Sequence, residues 1–297
     1  MSENRNKYIG ASEVGAVLGI DPFCTPLQLW GYKTGLIQKQ DLSDNEAVEW
    51  GTRLERIVSQ KFSEKNNVKL MAYKKRFYHP KYEFLTCELD NIIVGRDELV
   101  EIKTANAWAI KKWEKDNEIP AHYIAQVTMQ LGLSGRRIGH IAVLIGGQRY
   151  IEKVIQFDEE FYNNIVQKCI EFWKLVQEKN PPMACADDNE ALLRIYPNAK
   201  NEELIEAVDD LNTAIARRQE LSMHIKNMEE EKSDVENKIK QVIGDNFGLK
   251  TNQYVVTWKP QSRITLDLDK IKSDGIYDKY TKSSSTRTLN IKLNKEA

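Results

Sequence analysis

The chain has 297 residues, 41% hydrophobic and 29% charged, the profile of a globular protein with room for one large domain or two modest ones. Its 43 Lys and Arg against 44 Asp and Glu leave a net charge of −1, which excludes histone-like or basic-arm binding of nucleic acid but not a local basic groove. No apolar run of about 18 residues is present, and the opening MSENRNKYIGAS lacks an apolar leader, so the expectation is a cytoplasmic chain without membrane attachment.

In chain order, Ser12 before EVGAVLG reads as a helix N-cap. Residues 46–65 place Trp50, Leu54, Ile57, Val58 and Phe62 on one stripe of an amphipathic helix. Residues 69–79, 83–94 and 98–104 read as three strands, with Gly95-Arg96-Asp97 as the tight turn between the last two. Trp108, Lys111, Lys112 and Trp113 follow, either as basic and aromatic DNA contacts or as an ordinary amphipathic helix with core tryptophans. A helix spans 121–135, a hairpin turns across Gly146-Gly147, and a third long helix covers 159–179. This order describes an α/β sandwich around a mixed sheet. Neither GxGxxG nor GxxxxGK[ST] occurs, so nothing points to a nucleotide cofactor. The dispersed Cys24, Cys87, Cys169 and Cys185 argue against zinc and iron–sulfur centres.

The Pro- and Asp-rich stretch at 180–190 reads as a boundary, giving a linker over 181–200. Residues 201–243 lack Gly and Pro and carry a heptad-like stripe with one slip, which predicts a long coiled-coil-like helix. Residues 244–297 read as a small β-rich region, with strands at 253–259, 262–268 and 286–293.

The chemistry concentrates in LDNIIVGRDELVEIKT. A turn centred between Gly95 and Arg96 sets Asp90 opposite Glu101, and period-two alternation puts Lys103 on the Glu101 face. Directly opposed carboxylates repel. A divalent cation between them reverses that sign, and oxygen donors, with the Ile102 carbonyl, suit Mg²⁺ or Mn²⁺. A Glu-x-Lys strand is by itself equally a surface ion pair. Glu55 lies beside the apolar stripe of its helix, either as a further ligand or as an ordinary edge charge. Gln126 and Gln130, one helical turn apart, orient a phosphate or water, or cap a neighbouring loop.

The ordered set IGAS, EWGTRLE, CELD, EIKT and YIAQ resembles the YqaJ-type viral recombinase family, the phage lambda exonuclease group of the PD-(D/E)xK nucleases, over roughly residues 1–180. The resemblance implies a restriction-endonuclease-like core with a mixed central sheet flanked by helices. It carries metal-site roles to Glu55, Asp90, Glu101 and Lys103, a catalytic glutamine to Gln126, and a 5′-phosphate pocket to Arg5 and Ser12. Glu88-Leu89-Asp90 stands where the family often has Pro-Asp. The implied activity is Mg²⁺-dependent 5′→3′ digestion of one strand of linear duplex DNA, in phage-type recombination. Implied too are a ring-shaped trimer or tetramer, and a single-strand annealing protein as partner. A structure- or site-specific endonuclease on the same core, and a non-catalytic DNA-binding scaffold, are the alternatives.

Overall fold

A computed structural model describes residues 5–39, 41–42, 44–110, 113, 119–206, 211–282 and 286–292. Two compact units meet between Pro197 and Asn198.

The first unit is built on a mixed six-stranded sheet. Its strands are β1 (Ile9–Gly10), β2 (Leu70–Tyr78), β3 (Leu85–Ile93), β4 (Glu98–Ala105), β5 (Ile138–Ile145) and β6 (Arg149–Gln156). β4 and β5 run parallel over eight pairs, whereas β2–β3 and β5–β6 are antiparallel. The β3–β4 hairpin has the register expected from its turn, Asn91 facing Val100 and Ile92 facing Leu99, but its ladder stops there. β1 pairs with β3 at Leu85 and Thr86, while Tyr78 of β2 pairs with the other edge of Thr86. β1 and β4 therefore share one edge of β3 at opposite ends, and the sheet forks between them.

Helices cover both faces. α1 (Val14–Val17) and α2 (Pro26–Thr34) lie near the N-terminus, followed by α3 (Glu46–Asn66), α4 (Ala121–Ser134), α5 (Glu159–Glu178) and α6 (Asn189–Ile195). On one face Val58 and Phe62 of α3 bury against Ile93, Val100, Ile102 and Ala142. The main core lies on the other face, where Val127, Met129 and Leu131 of α4 meet Leu85, Leu99 and Ile141. Each such side chain contributes about 1.5–3 kcal/mol on burial. Cβ atoms added at Gly132 and Gly139 would sit 2.2 Å from the Tyr162 ring and 2.3 Å from Val127, so bare backbone lets α4 lie close to α5 and β5.

Several elements differ from expectation. The α3 stripe is narrower than its periodicity suggests: Trp50 and Ile57 are exposed at 55% and 58%, because the sheet behind reaches only Val58 and Phe62. Ser12 caps no helix. Gly10 precedes a 3₁₀ turn (Ala11–Glu13), and the Glu13 carboxylate returns to accept the Gly10 N–H at 3.0 Å. α2 was absent from the predicted elements, although Thr25 caps it through Gln28 and Pro26 opens it. The stretch 181–200 is not a free linker. Asp188 is fully buried, accepts the Thr25 hydroxyl and the Cys185 N–H (2.8 Å), and seats Ala191 and Ile195 of α6 in the core.

In the second unit, the long helix α7 spans Asn212–Ile243 rather than beginning at 201, and residues 201–206 carry no regular structure. Leu204 is 99% exposed there, so its place in the stripe gains no burial. The β-rich expectation reduces to one hairpin, β7 (Gly248–Lys250) with β8 (Val255–Thr257). The expected strands at 262–268 and 286–293 are not present over their described residues; short helices α8 (Leu268–Ser273) and α9 (Tyr277–Tyr280) appear between them. Ile264 is fully exposed, and alternation that enters no core yields no strand.

Candidate active site

The fork in the sheet places the acidic residues. Between the pairs Ala72–Asn91 and Tyr73–Leu89, β3 carries one residue more than β2, and that residue is Asp90. Such a bulge bends a strand and re-aims a side chain. The Asp90 carboxylate crosses the gap and its Oδ2 accepts the Ile102 N–H at 2.8 Å, replacing the main-chain bond that the ladder lacks.

Across the fork, Glu101 is buried at 4% exposure on the α4 face of β4. Its Oε1 accepts the Gln126 amide at 2.6 Å and its Oε2 accepts the Gln130 amide at 2.7 Å. The two glutamines stand one turn apart, so one helix face grips both oxygens. Lys103, two residues along β4, approaches Glu101 Oε1 at 2.7 Å, donates to Gln126 Oε1 at 3.2 Å and lies over the Tyr123 ring. Gln130 also donates to the Glu88 carbonyl at 3.1 Å, which leaves its own Oε1 buried without a partner among the described residues.

Burial and the Glu101 charge push the Asp90 carboxyl up to about 7, against the Ile102 hydrogen bond and Lys103, which favour its ionised form. Glu55 adds to the upward push. Burial alone would depress Lys103, but Glu101 and Asp90 overcome it and hold the ammonium above its usual pKa. The site thus contains a firmly protonated lysine and an aspartic acid whose proton is held into the neutral range.

Two cavities meet at these residues. One, of about 330 Å³, is lined by Glu55, Asp90, Glu101, Ile102, Lys103 and Thr104, so half-buried Glu55 faces the two acids from α3. The other, of about 230 Å³, shares Asp90, Glu101 and Lys103 and also has Arg5, Ser12, Gln126 and Gln130 in its wall. Glu55, Asp90, Glu101, Lys103, Gln126, Gln130, Arg5 and Ser12 therefore converge on one region. Trp108 is 90% exposed and lines neither cavity, Trp113 is a core residue, and Lys111 and Lys112 lie outside the described residues.

Three further residues escaped sequence reasoning. Arg76 of β2 lines the second cavity, chelates Glu88 through Nε (3.0 Å) and Nη2 (2.6 Å), and stacks on the Tyr8 ring. Only a Lys-Lys-Arg run in a strand marked it. Lys33 and Glu13 form a buried ion pair at 2.6 Å behind Arg5. Their separation in sequence carries no recognisable spacing.

The fit of a metal can be tested against the donor set. Among the described residues, no three His, Cys, Asp or Glu side chains stand close enough to share an ion. Mg²⁺ does not require three: it takes one or two carboxylates and keeps several waters. Asp90 and Glu101 supply two hard oxygen ligands to one cavity, where burial and the Glu101 charge raise the Asp90 pKa even with Lys103 at 2.7 Å from Glu101, and the Gln130 Oε1, without a partner among the described residues, adds a nearby acceptor. This set fits Mg²⁺ or Mn²⁺ and does not suit a soft-ligand metal.

Residues 2–137 match the YqaJ-like viral recombinase domain. The uncharacterized protein YqaJ of Bacillus subtilis (strain 168) is 32% identical over 296 residues, covering 97% of this chain and 92% of that protein. Among solved structures, an alkaline exonuclease (LHK-Exo) from Laribacter hongkongensis is similar with a TM-score of 0.50 at 18% identity, covering 59% of this chain and 91% of that one. The same exonuclease in complex with dAMP gives a TM-score of 0.49 at 20% identity, over 64% and 93% of the respective chains. The mixed central sheet flanked by helices thus has the fold of the LHK-Exo exonuclease, and the similarity to YqaJ runs through both units. The chain belongs to the YqaJ-like viral recombinase family.

Proposed function

We propose that the protein hydrolyses phosphodiester bonds at the ends of linear duplex DNA, digesting one strand 5′→3′ with Mg²⁺ held by Asp90, Glu101 and the Ile102 carbonyl, and with Glu55 beside them. The observation that carries this reading is the pair of acids at the fork, one gripped by two amides and the other pushed toward its protonated form by burial and by its neighbour's charge. A bound Mg²⁺ supplies Lewis acidity toward a phosphoryl oxygen and lowers the pKa of water. The protein's own groups do the rest. Gln126 and Gln130 hold Glu101 in one orientation, so no reorganisation is needed when substrate arrives. Lys103 presents a fixed positive charge where negative charge grows on the phosphate. Arg5 and Ser12, in the wall of the same cavity, take the terminal 5′-phosphate, with guanidinium suited to bidentate contact.

The relationship to viral recombinases supports a role in phage-type recombination within the bacterial cytoplasm. There the 3′ single strand left by digestion passes to a single-strand annealing protein, and a trimeric or tetrameric ring keeps the enzyme on its substrate. The deciding experiment is digestion of duplex labelled at either end, linear or closed circular, with Mg²⁺ or EDTA. The reading requires Mg²⁺-dependent release of 5′ label from linear DNA and no cutting of circles. Cutting of circles identifies an endonuclease instead, and binding without digestion a scaffold.

A further inference from the structure

Lys33 is a buried ammonium that the chemistry above does not use. Its exposure is 6%, on the inner face of α2. All three of its donors are engaged: by the Arg5 carbonyl at 2.7 Å, the Tyr8 carbonyl at 2.6 Å and Glu13 Oε2 at 2.6 Å. Glu13 uses the same oxygen to accept the Gly10 N–H. One side chain on a capped helix thus gathers both ends and the middle of the segment 5–13, the segment bearing Arg5 and Ser12.

The middle of that segment is anchored independently, by Ile9 and Ala11 in the core, by the pairing of β1 with β3 and by Arg76 over the Tyr8 ring. Arg5 and Ser12 themselves are exposed, so the burial of their neighbours does not fix where Arg5 stands. An apolar residue at position 33 would fill the same space without the cost of taking a charge out of water. Among the described residues, the hydrogen-bond acceptors of Lys33 all belong to the segment it holds. Lys33 does not line the cavity that contains Asp90 and Glu101, whereas Arg5 and Ser12 do, so it acts on that cavity through them.

We propose that Lys33 is a positioning residue for recognition of the DNA end: with Glu13 it pins the 5–13 segment so that Arg5 and Ser12 stand in the wall of the carboxylate cavity. The inference rests on the end-phosphate reading given above, and it makes end selectivity depend on a residue that never touches DNA.

The test uses the full chain in EDTA, so that binding is read without digestion. Fluorescence anisotropy compares duplexes with a 5′-phosphate and with a 5′-hydroxyl, for wild type, Lys33→Met and the double variant Glu13→Gln/Lys33→Met. Wild type is expected to favour the phosphate about tenfold, the size of one charge-assisted contact. In both variants the preference falls to within about twofold of unity, with amide exchange in residues 5–13 accelerated. A merely structural role would weaken binding of both duplexes alike and leave their ratio unchanged, and that result overturns the proposal. The double variant removes the unpaired Glu13 carboxylate that could unfold the single one. Unfolding of the double variant by circular dichroism makes Lys33 a folding element and overturns the proposal as well. If wild type itself does not discriminate, the end-pocket reading fails and the clamp with it. If wild type discriminates and the variants match it, only the clamp fails.

Discussion

Asp90→Asn separates the chemistry of the fork from its cost in stability. The amide keeps an oxygen for the Ile102 N–H, so the bulge retains its cross-fork bond. What disappears is a charge that the metal-free fold holds at a disadvantage. A carboxyl raised from 3.8 to about 7 by burial and by Glu101 binds its proton more tightly folded than unfolded. Its favourable contribution is therefore complete below pH 4 and is lost as pH rises toward 7. The full shift corresponds to about 4 kcal/mol at pH 8. Sharing with Glu101 and access of water to a partly open site reduce that to about 1–3 kcal/mol. In EDTA at pH 8 the variant should melt about 5 °C above wild type, given about 2–4 °C per kcal/mol for a unit of this size. The two curves should converge near pH 4, and Mg²⁺ should raise wild type more than the variant. Digestion of linear duplex should fall on the order of 10³-fold or more, because a ligand for the catalytic ion is gone. Melting scans from pH 4 to 8, with and without Mg²⁺, read the first part, and release of end label reads the second. A variant less stable than wild type in EDTA at pH 8, or one that digests DNA normally, would falsify the account of the fork.

Glu101→Gln should inactivate to a similar degree but lose stability by about 1–3 kcal/mol, since an NH₂ group would then face the amide donors of Gln126 or Gln130; chemical denaturation in EDTA measures this opposite sign. Arg5→Ala should slow digestion of 5′-phosphorylated duplex about tenfold and leave 5′-hydroxyl duplex nearly unaffected, in a two-by-two comparison of initial rates. A chain ending at Pro197 should fold and keep nuclease activity, whereas one ending at residue 180 should lose Asp188, Ala191 and Ile195 and melt several degrees lower by calorimetry.

The register of the β3–β4 hairpin was legible because Gly95-Arg96-Asp97 fixes it locally, although the ladder ends at Asn91 and Val100 and Asp90 meets β4 through its side chain. The bulge was not, because an extra residue is defined only against its neighbour strand, and β2 is joined to β3 by a loop whose length says nothing of pairing. Helix α4 starts after Pro120 as its sequence indicates, its two glutamines follow from helical spacing, and of the two stops the sequence offers, Gly132 and Gly135, the left-handed Gly135 is the one used. Helix α2 was missed despite Thr25, Pro26 and Gln28, since nine residues are too few for an apolar stripe to stand out. At 180–190 the Pro-Pro pair outweighed the significance of Asp188, whose partner Thr25 is 163 residues away. Arg76 and Lys33 became visible only in three dimensions, for the same reason. In the second unit, alternating apolar residues at 262–268 imitate a strand, yet Ile264 and Leu266 stay exposed and the alternation buries nothing.

The fork also bears on how this protein avoids its own kind. Where β3 and β4 part, the side of β4 that β3 leaves has no strand beside it among the described residues, the condition under which sheets recruit further polypeptide and aggregate. Natural edges are guarded by charges turned inward, and here Asp90 and Glu101 stand in the gap, with Asp90 occupying the Ile102 N–H that an intruding strand would need. The acids proposed above as metal ligands thus also meet the requirement for a guarded edge, charges in the gap and an N–H already taken, where the sheet splits.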